Sequence, residues 1–497
     1  MCYLARINRA RFVRTPMDNN TFIPQAFIDK MIGILPEQLT IDDLLTACRR
    51  PLRRAIRVNT LKISIEDFQL IADKHHWSLT AVPWCEAGFW IEIEDESVPL
   101  GNSAEHLAGL FYIQEASSMM PVSALLSHYQ PNHQSTLLDA AAAPGSKTTQ
   151  LASATNNQGL VIANEYSSSR IKMLHANIQR CGIQNVALTH FDAAVFGQWL
   201  PNTFDAILLD APCSGEGTVR KDKNAMKNWQ QSAIDSIALT QKELIKSAFQ
   251  ALKPGGVMVY STCTLSLEEN QEVCHSLQQT YPEQVKFLSL ESLFEGAEQS
   301  LTQEGFLHIW PQIYDTEGFF VAAIQKTGLV ESEPAKKRLG KFPFQPAPAT
   351  TNKSLLNYFS EQFGINEFNG VLYQRDDEFW IFPENIIPLI TELRFSRLGI
   401  KIAEQFGKGR KSGFRASHEF ATCYGQQASN NKVSLTAEQA KSYYQGRDIH
   451  DIDTSNTKGE VLLTYQDHVI GLGKSLDNRI KNSRPRDLII DQNLFDF

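Results

Sequence analysis

Runs of apolar residues alternate with helix-type patterns between residues 135 and 325. Apolar runs of strand length predict core strands over residues 136–142, 160–165, 186–192, 204–210 and 257–262. Between them, apolar spacing typical of helices covers residues 168–181, which Gly182 ends, and residues 240–252. Strands that alternate with helices in this way predict a mostly parallel, doubly wound sheet with helices on both faces, an α/β fold.

The patterns on either side of this region are shorter and mixed. A last apolar pair, over residues 306–310 and 318–324, is expected to add an antiparallel edge to the sheet. Upstream, strand-type runs over residues 89–93 and 110–113 stand among short helical patterns. Downstream of a stretch rich in proline and lysine, short strands such as 460–465 and 469–473 favour small α+β and β modules. We predict an unstructured extension over residues 1–16, an N-terminal α+β unit over 17–115, an α/β domain over 116–327, a linker over 328–351, a small α+β domain over 352–410 and a β module over 411–497.

Residues 1–16 contain four arginines, no acidic residue and no apolar period. A helical pattern over residues 18–31 follows Met17 directly. We therefore interpret Met17 as the start of translation, with a leader that targets an organelle as the alternative.

Composition narrows the class of protein. A chain of 497 residues with 42% hydrophobic and 21% charged residues is typical of a multidomain globular protein. Since no apolar run reaches the roughly 18 residues of a membrane span and no signal-type stretch opens the chain, we expect a cytoplasmic location without a membrane partner. Eight cysteines at irregular spacing, without a CxxC pair, favour reduced thiols and no metal site.

The net charge of −8 argues against nucleic-acid binding only until the distribution of charge is considered. Positive residues cluster in three runs, within residues 49–57, 394–415 and 474–486. A single run is more often a solvated face, but three runs in an acidic chain favour an anionic polymer as the partner.

The first strand of the α/β region leads into a loop of small residues that opens a helix. The segment 139–148 contains Gly145, Ser146 and Lys147 after four small residues and a proline, which lets a ligand approach the backbone and the helix N-terminus. It matches neither the Walker loop nor the GxGxxG loop, so nucleoside triphosphates and nicotinamide cofactors are disfavoured. Acidic residues at the ends of three successive strands, Asp139, Glu165 and Asp192, favour an adenosine ligand without a pyrophosphate, and S-adenosylmethionine fits that description.

Two cysteines also follow core strands, at the sheet edge where ligands bind in open α/β folds. Cys213 stands in the segment 210–214, after Asp210, and Cys263 stands in the segment 261–264. A single such cysteine is usually a small buried hydrophobe. Two thiols beside a cofactor loop instead favour covalent catalysis.

These motifs together resemble those of the RNA cytosine-5 methyltransferases. The cofactor loop matches with Ala141 and Ser146 in place of the family's usual Cys and second Gly. Further matches are residues 57–62 and 111–118, and within the family the chain is most similar to bacterial enzymes that modify cytosine 1407 of 16S ribosomal RNA. The marks of that subgroup are residues 214–217, 220–222, 394–399, 471–474 and 481–483.

The resemblance implies a Rossmann-like class I methyltransferase domain over residues 116–327, an RNA-binding unit over 17–115 and a PUA-like RNA-binding module over 411–497. It implies S-adenosyl-L-methionine as cofactor, 16S ribosomal RNA on the 30S subunit as partner, and methylation of carbon 5 of a cytidine by a protein that we expect to be a monomer. The cofactor residues that it implies are Ala141, Ala142, Ala143, Pro144, Gly145, Ser146, Lys147, Glu165, Asp192 and Asp210.

The resemblance leaves the two thiols to be assigned. DNA enzymes with this chemistry attack with a Pro-Cys cysteine, which would be Cys213, whereas the RNA family attacks with a Thr-Cys cysteine, here Cys263. We favour Cys263 as the nucleophile that adds to carbon 6, Cys213 as the residue that assists product release, and Asp210 as the group that meets the ring nitrogen. The same reaction on transfer RNA or 23S ribosomal RNA, and a non-catalytic ribosome-assembly factor, are the alternatives.

Overall fold

The computed structural model describes residues 21–332, 335, 337, 339–407 and 412–495. Strands within these ranges form four sheets. Across the same ranges, no helix has both the length and the apolar character that crossing a membrane requires. The extension predicted over residues 1–16 lies outside the described residues.

The N-terminal unit is an antiparallel sheet in the order β2-β3-β1-β4 with helices packed around it. Its elements are α1 (Gln25–Ile32), α2 (Ile41–Arg49), β1 (Ala55–Val58), α3 (Ile65–Lys74), β2 (Trp77–Val82), β3 (Cys85–Ile93), α4 (Ala104–Leu107) and β4 (Phe111–Ile113). The strands predicted over residues 89–93 and 110–113 fall in β3 and β4. The first described helix begins at Gln25, after Pro24, rather than at residue 18.

The central region has the predicted mostly parallel sheet, and helices cover both of its faces. Its elements are α5 (Met120–His128), β5 (Thr136–Asp139), α6 (Ser146–Ala154), β6 (Leu160–Asn164), α7 (Ser168–Cys181), β7 (Val186–Thr189), α8 (Phe196–Trp199), β8 (Phe204–Asp210), α9 (Gln231–Ala251), β9 (Leu252–Thr262), α10 (Gln271–Thr280), β10 (Val285–Leu288), β11 (Leu307–Ile309), α11 (Pro311–Tyr314) and β12 (Phe319–Lys326). Strands β7-β6-β5-β8-β9 are parallel neighbours, which is the class I methyltransferase arrangement. Helix α7 ends before Gly182, whose φ of 71° closes the last turn as predicted.

The C-terminal half contains two smaller sheets, in the orders β13-β14-β15-β17-β18 and β19-β21-β22-β23-β20. Its elements are β13 (Gln345–Pro346), α12 (Ala349–Phe363), β14 (Val371–Arg375), β15 (Glu378–Phe382), β16 (Phe395–Leu398), β17 (Ile400–Phe406), β18 (Gly413–Ala416), α13 (His418–Tyr424), β19 (Lys432–Ser434), α14 (Ala437–Tyr444), β20 (Ile449–His450), β21 (Glu460–Tyr465), β22 (His468–Leu476) and β23 (Arg479–Asn482). Strand β13 and the start of α12 lie within the stretch predicted as a linker.

Both margins of the central sheet differ from the sequence prediction. The strand expected at the edge, β12, lies between β9 and β10 and pairs antiparallel with each, because its side chains are apolar and buried on both faces. At the opposite margin, β16 leaves the C-terminal half and pairs antiparallel with β7. The C-terminal half is therefore continuous with the central sheet through backbone hydrogen bonds.

Arg57 joins the N-terminal unit to the central sheet. The sequence placed it in a basic run that contacts an anionic polymer, but its side chain is buried, with 2% exposure. Its guanidinium donates to Gln114 Oε1 at 2.9 Å and to Thr149 Oγ1 on α6 at 2.8 Å. Arg57 therefore has a structural role, since it attaches the N-terminal unit to the helix that follows the cofactor loop. The prediction that this arginine contacts an anionic polymer was wrong.

We expect Arg57→Met to lower the free energy of unfolding by about 2–4 kcal/mol, since two buried acceptors lose a charged donor. The shift of the urea midpoint, followed by tryptophan fluorescence, measures this loss. Arg54→Met is the matched control, because Arg54 forms an exposed ion pair with Glu96 at 2.9 Å and should shift stability by only about 0.5 kcal/mol. Equal midpoints for the two variants would contradict this structural role.

Candidate active site

The two cysteines predicted to share one crevice lie side by side. Strands β8 and β9 are parallel neighbours with Asp210 opposite Ser261, so the residues that follow both strands emerge at the same height. Cys213 Sγ and Cys263 Sγ are 3.2 Å apart, and both side chains are partly exposed. The pairing of strands thus converts a separation of fifty residues into direct contact.

The two sulfurs share a hydrogen bond for which either thiol can be the donor. The hydrogen bond to Cys263 and burial hold the pKa of Cys213 well above its ordinary value. Cys213 is therefore held as a neutral thiol in direct contact with the Cys263 sulfur.

Glu269, which the sequence prediction missed, ties the two cysteine loops together. Its carboxylate accepts from the Ser214 amide at 2.8 Å, from Gln241 Nε2 at 2.9 Å and from Thr264 Oγ1 at 3.2 Å. Its side chain is fully buried, and burial raises its pKa. Glu269 stands six residues beyond Cys263. The sequence showed it only as one acidic residue after a predicted strand, which does not indicate a role in the site. Glu269 fixes the positions of the thiols rather than reacting itself.

Lys147 and Asp210 form an ion pair beside the thiols. Lys147 Nζ lies 2.7 Å from Asp210 Oδ2 and donates to Ser118 Oγ at 3.0 Å. The other carboxylate oxygen, Asp210 Oδ1, accepts from Ser261 Oγ at 2.8 Å. Both oxygens of Asp210 thus accept hydrogen bonds from protein groups, and Lys147 is committed to Asp210 and Ser118.

The cofactor loop has the close backbone approach that its small residues predicted. Gly145 has a φ of 109°, which only glycine adopts readily, and a Cβ there would meet Leu174 Cδ1 at 3.0 Å. The Ala142 amide donates to Asn164 O at 2.8 Å, and Arg170 donates to Ala143 O. The loop is therefore held against β6 and α7, with Ser146 as the first residue of α6.

The acidic residues at the strand ends take three different environments. Glu165 follows β6 directly, is 3% exposed and accepts from the amides of Ala143 and Ser167. Asp192 stands three residues beyond β7, is exposed and accepts from the Ala194 amide. Asp139 is fully buried, accepts from Thr148 Oγ1 at 2.6 Å, and has a pKa raised to about 6, mainly by burial. Asp139 thus supports α6, while Glu165 and Asp192 lie along the cofactor side of the sheet.

These residues fit S-adenosylmethionine. The left-handed Gly145 leaves room at the start of a nine-residue helix whose first amides are free to bind a polar ligand. Glu165 and Asp192, beyond neighbouring strands, are hydrogen-bond acceptors of the kind that suits ribose hydroxyls and the amino group of adenine. Pro144, Ser146 and the three alanines line the loop without a charged group that would bind a pyrophosphate.

Two acidic residues, Glu115 and Glu317, are linked to Lys147 through Ser118. Glu115 accepts from the Ser117 hydroxyl and from the Ser118 amide, and its other oxygen accepts from the Glu317 amide at 3.4 Å. Glu317 is 5% exposed, and burial together with Glu115 raises its pKa to about 8. Glu115 lies in the segment 111–118, which contributed to the family resemblance. Glu317 stood in no motif, since the sequence showed only an acidic residue before a glycine ahead of the last strand of the central sheet.

The three basic runs divide between structural and solvent-facing groups. Arg49, Arg50 and Arg53 line a cleft of about 450 Å³ with Lys221 and Lys223, and this cleft reaches Glu115. In the second run, Arg397 pairs with Glu419, Lys401 pairs with Glu378 and Glu404, and residues 408–411 lie outside the described residues. In the third, Lys474 and Lys481 are exposed and directly opposite each other across β22 and β23, an arrangement that favours a bound anion.

Comparisons with known families cover most of the chain. The model of the 16S rRNA methyltransferase RsmB/F matches residues 126–325. The N-terminal domain of 16S rRNA methyltransferase RsmF matches residues 23–116. The pre-PUA domain of ribosomal RNA small subunit methyltransferase F matches residues 344–423, and the RsmF PUA domain matches residues 430–490.

Two relatives that match the whole length of these domains are named ribosomal RNA small subunit methyltransferase F. The ribosomal RNA small subunit methyltransferase F of Psychromonas ingrahamii is 67% identical over 479 residues, which are 96% of this chain and 100% of that protein. The corresponding protein of Vibrio vulnificus is 54% identical over 480 residues, again 96% of this chain and all of the relative.

Solved structures agree with the fold. A methyltransferase homolog protein from Pyrococcus horikoshii is 32% identical, with a TM-score of 0.51, over 61% of this chain and 100% of that chain. NSun6 from the same organism, solved with SFG, has a TM-score of 0.53 at 23% identity over 61% of this chain and 98% of its own. The chain uses S-adenosylmethionine and belongs to the family of ribosomal RNA small subunit methyltransferase F.

Proposed function

We propose that this protein transfers a methyl group to carbon 5 of a cytidine in 16S ribosomal RNA, at cytosine 1407 on the 30S subunit. The observation that carries the proposal is the contact of Cys213 Sγ and Cys263 Sγ at 3.2 Å, next to the Lys147–Asp210 ion pair and the cofactor loop. Carbon 5 of cytosine is a poor nucleophile, and a thiol that adds to carbon 6 removes that obstacle. The names of the relatives supply the RNA class.

In this mechanism Cys263 attacks carbon 6 as a thiolate and forms a covalent bond to the RNA. Cys213 is hydrogen bonded to the Cys263 sulfur, and it assists the departure of that sulfur after water has taken the carbon 5 proton. Glu269 holds both cysteine loops in register. Lys147, which is paired with Asp210, offsets negative charge that develops on the cytosine ring. Asp210 accepts a hydrogen bond from the ring.

The cofactor-binding residues hold their ligand at the same sheet edge. When bound, S-adenosylmethionine supplies an electrophilic methyl group on a sulfonium sulfur. The loop from Ala141 to Ser146 leaves room for it, Glu165 and Asp192 bind the adenosine, and Lys147 and Asp210 contact it from the neighbouring strand end.

The basic cleft lined by Arg49, Arg53 and Lys221 leads phosphates toward Glu115 and the crevice. The target base leaves its stack to enter the crevice, at a cost of a few kcal/mol that such contacts offset. The PUA module adds the exposed lysines Lys474 and Lys481. A ribosomal substrate places the protein in the cytoplasm, and every group in this mechanism comes from one chain, so a monomer is sufficient.

The decisive experiment uses labelled S-adenosylmethionine and 30S subunits that lack their own methylation. We expect the wild-type protein to methylate a single cytidine, which bisulfite sequencing of the 16S RNA would locate at position 1407. Naked 16S RNA, 23S RNA and transfer RNA are tested in parallel. If only one of the other RNAs is methylated, that RNA is the substrate instead of the 30S subunit. If no RNA is methylated, the result favours a non-catalytic assembly factor.

A further inference from the structure

The active-site crevice holds a buried acid that the mechanism above does not use. The β12 strand pairs with β9, with Phe320 opposite Thr262, so the residues before β12 stand beside Cys263. The Gly318 amide donates to Gly217 O, and the Gly217 amide donates to Cys263 O, both at 3.0 Å. The segment that carries Glu317 is therefore connected to Cys263 by two backbone hydrogen bonds, with Gly217 between them.

The segment that carries Glu317 is packed against its neighbours. A Cβ on Gly217 would meet Gly318 O at 2.3 Å, so the two loops are in backbone contact. The Thr316 hydroxyl donates to Glu317 O at 3.0 Å, and the Glu317 amide donates to Glu115. Through Glu115 and Ser118 the segment is hydrogen bonded to Lys147.

The Glu317 carboxyl is buried without a partner for one of its oxygens. Within the described ranges, no group donates to or accepts from Oε1 of Glu317, although the residue is 5% exposed. An unpaired polar atom in such a place costs about 1–3 kcal/mol unless a ligand or a function compensates. Burial and the neighbouring Glu115 raise the pKa of Glu317 to about 8, so at neutral pH it carries a proton.

Asp210, by contrast, is hydrogen bonded at both of its oxygens, which accept from the Lys147 ammonium and from the Ser261 hydroxyl. An acceptor in this position suits the exocyclic amine of cytosine, which donates hydrogen bonds.

We propose that Glu317 is the general acid that protonates N3 of the target cytosine when Cys263 adds to carbon 6. The inference rests on the proposed function. The Cys263 sulfur forms a bond to carbon 6, the C5=C6 electron pair moves to C4=C5, and the C4=N3 pair moves onto N3. N3 takes the proton of the Glu317 carboxyl, which becomes a carboxylate, and the proton returns when the sulfur leaves and the C5=C6 bond forms again.

The test measures the attack step without methyl transfer. RNA labelled with tritium at carbon 5 of cytidine is incubated with the protein in the absence of cofactor. Addition of Cys263 lets carbon 5 take a proton from water and release tritium. For the wild type we expect the rate of release to fall as pH rises through about 8, since Glu317 then loses the proton that it must donate. The charged groups that face it are Glu115, Lys221, Arg220 and Lys147.

Glu317→Gln preserves the shape of the side chain but cannot transfer a proton. We expect it to slow tritium release by about 10²–10⁴-fold and to remove the alkaline fall. Glu115→Gln removes the negative charge that raises the Glu317 pKa, so the fall should move to lower pH. Glu460→Gln is the matched control, because burial also raises the pKa of Glu460 but the residue lies in β21, and its profile should match the wild type.

An unchanged rate and an unchanged alkaline fall in Glu317→Gln would overturn the general acid while leaving the proposed function intact. If Glu317→Gln does not fold, Glu115→Gln decides, and an unshifted fall in that variant overturns the proposal. Absence of both tritium release and methylation in the wild type would overturn the proposed function itself.

Discussion

We expect Cys263→Ala to lower methyl transfer by about 10⁴-fold or more, since it removes the nucleophile on which the covalent route depends. No RNA should remain attached to this variant after denaturation. Cys213→Ala should behave in the opposite way, because Cys263 can still attack carbon 6 but the adduct cannot resolve. Labelled RNA should then migrate with the protein on a denaturing gel.

The contact of Cys213 and Cys263 is the reason that this comparison is decisive. Because the two sulfurs are only 3.2 Å apart, a loss of activity alone would not separate the two proposed roles. Loss of activity without an adduct in Cys213→Ala, together with residual methylation by Cys263→Ala, would reverse the assignment. Cys423→Ala is the matched control, since Cys423 is a free and partly exposed thiol at the end of α13, away from this sheet edge.

The sequence predicted those parts of the fold that follow from local patterns. Strand β8 and helix α7 have the predicted bounds, because an apolar run and a helix ended by Gly182 are local signals. The parallel order followed from the alternation of these elements. The meeting of Cys213 and Cys263 followed in turn, since parallel strands end at the same sheet edge.

The parts that the sequence did not predict depend on contacts between distant segments. The sequence of β16 looks like that of any short strand and does not indicate its partner. Only its pairing with β7 shows that the C-terminal half extends the central sheet. Arg57 could not be told from its neighbouring arginines until the structure placed its guanidinium against Gln114 and Thr149. Glu317 had no motif of its own, and its partner Glu115 is 202 residues away.

The roles of the acidic residues needed side-chain contacts for the same reason. Asp139, Glu165 and Asp192 give one regular pattern in the sequence, yet Asp139 is turned toward Thr148 and buried. Asp210 was expected to meet the ring nitrogen either as an acceptor or as a proton donor. Its bonds to Lys147 and Ser261 show both of its oxygens as acceptors, which suits the exocyclic amine of the ring, and the proton donor that we propose instead is Glu317.

Lys147→Met should lower the single-turnover rate constant of methyl transfer by about 10²–10³-fold, because a preorganised cation is lost from the point where negative charge develops. Lys147 Nζ is 2.7 Å from Asp210, and its side chain is 7% exposed, so solvent cannot replace it. Asp210 would lose its fixed orientation as well as its counter-charge. Single-turnover methyl transfer under saturating cofactor and RNA measures the effect on the reaction apart from binding.

The chain provides a second lysine–aspartate pair as a control, and its aspartate lies on β8 as Asp210 does. Lys253 and Asp205 are 2.6 Å apart near the starts of β9 and β8, at the opposite end of the sheet. Lys253→Met breaks that pair and should leave single-turnover methyl transfer within about 3-fold of wild type, since no group there faces the crevice. Equal losses in Lys147→Met and Lys253→Met would mean that the lysines act through the stability of the sheet.

The double variant Lys147→Met/Asp210→Asn separates charge balance from catalysis. Removing both charges should restore thermal stability toward the wild type, because no carboxylate is left without its cation. Methyl transfer should stay as low as in Lys147→Met, since neither the cation nor the ionised acceptor is present for the ring. Recovery of methyl transfer in the double variant would show that Lys147 only neutralises Asp210. Continued loss beside restored stability would show that the pair itself acts on the ring, because the two readouts then respond to different properties of the same two side chains.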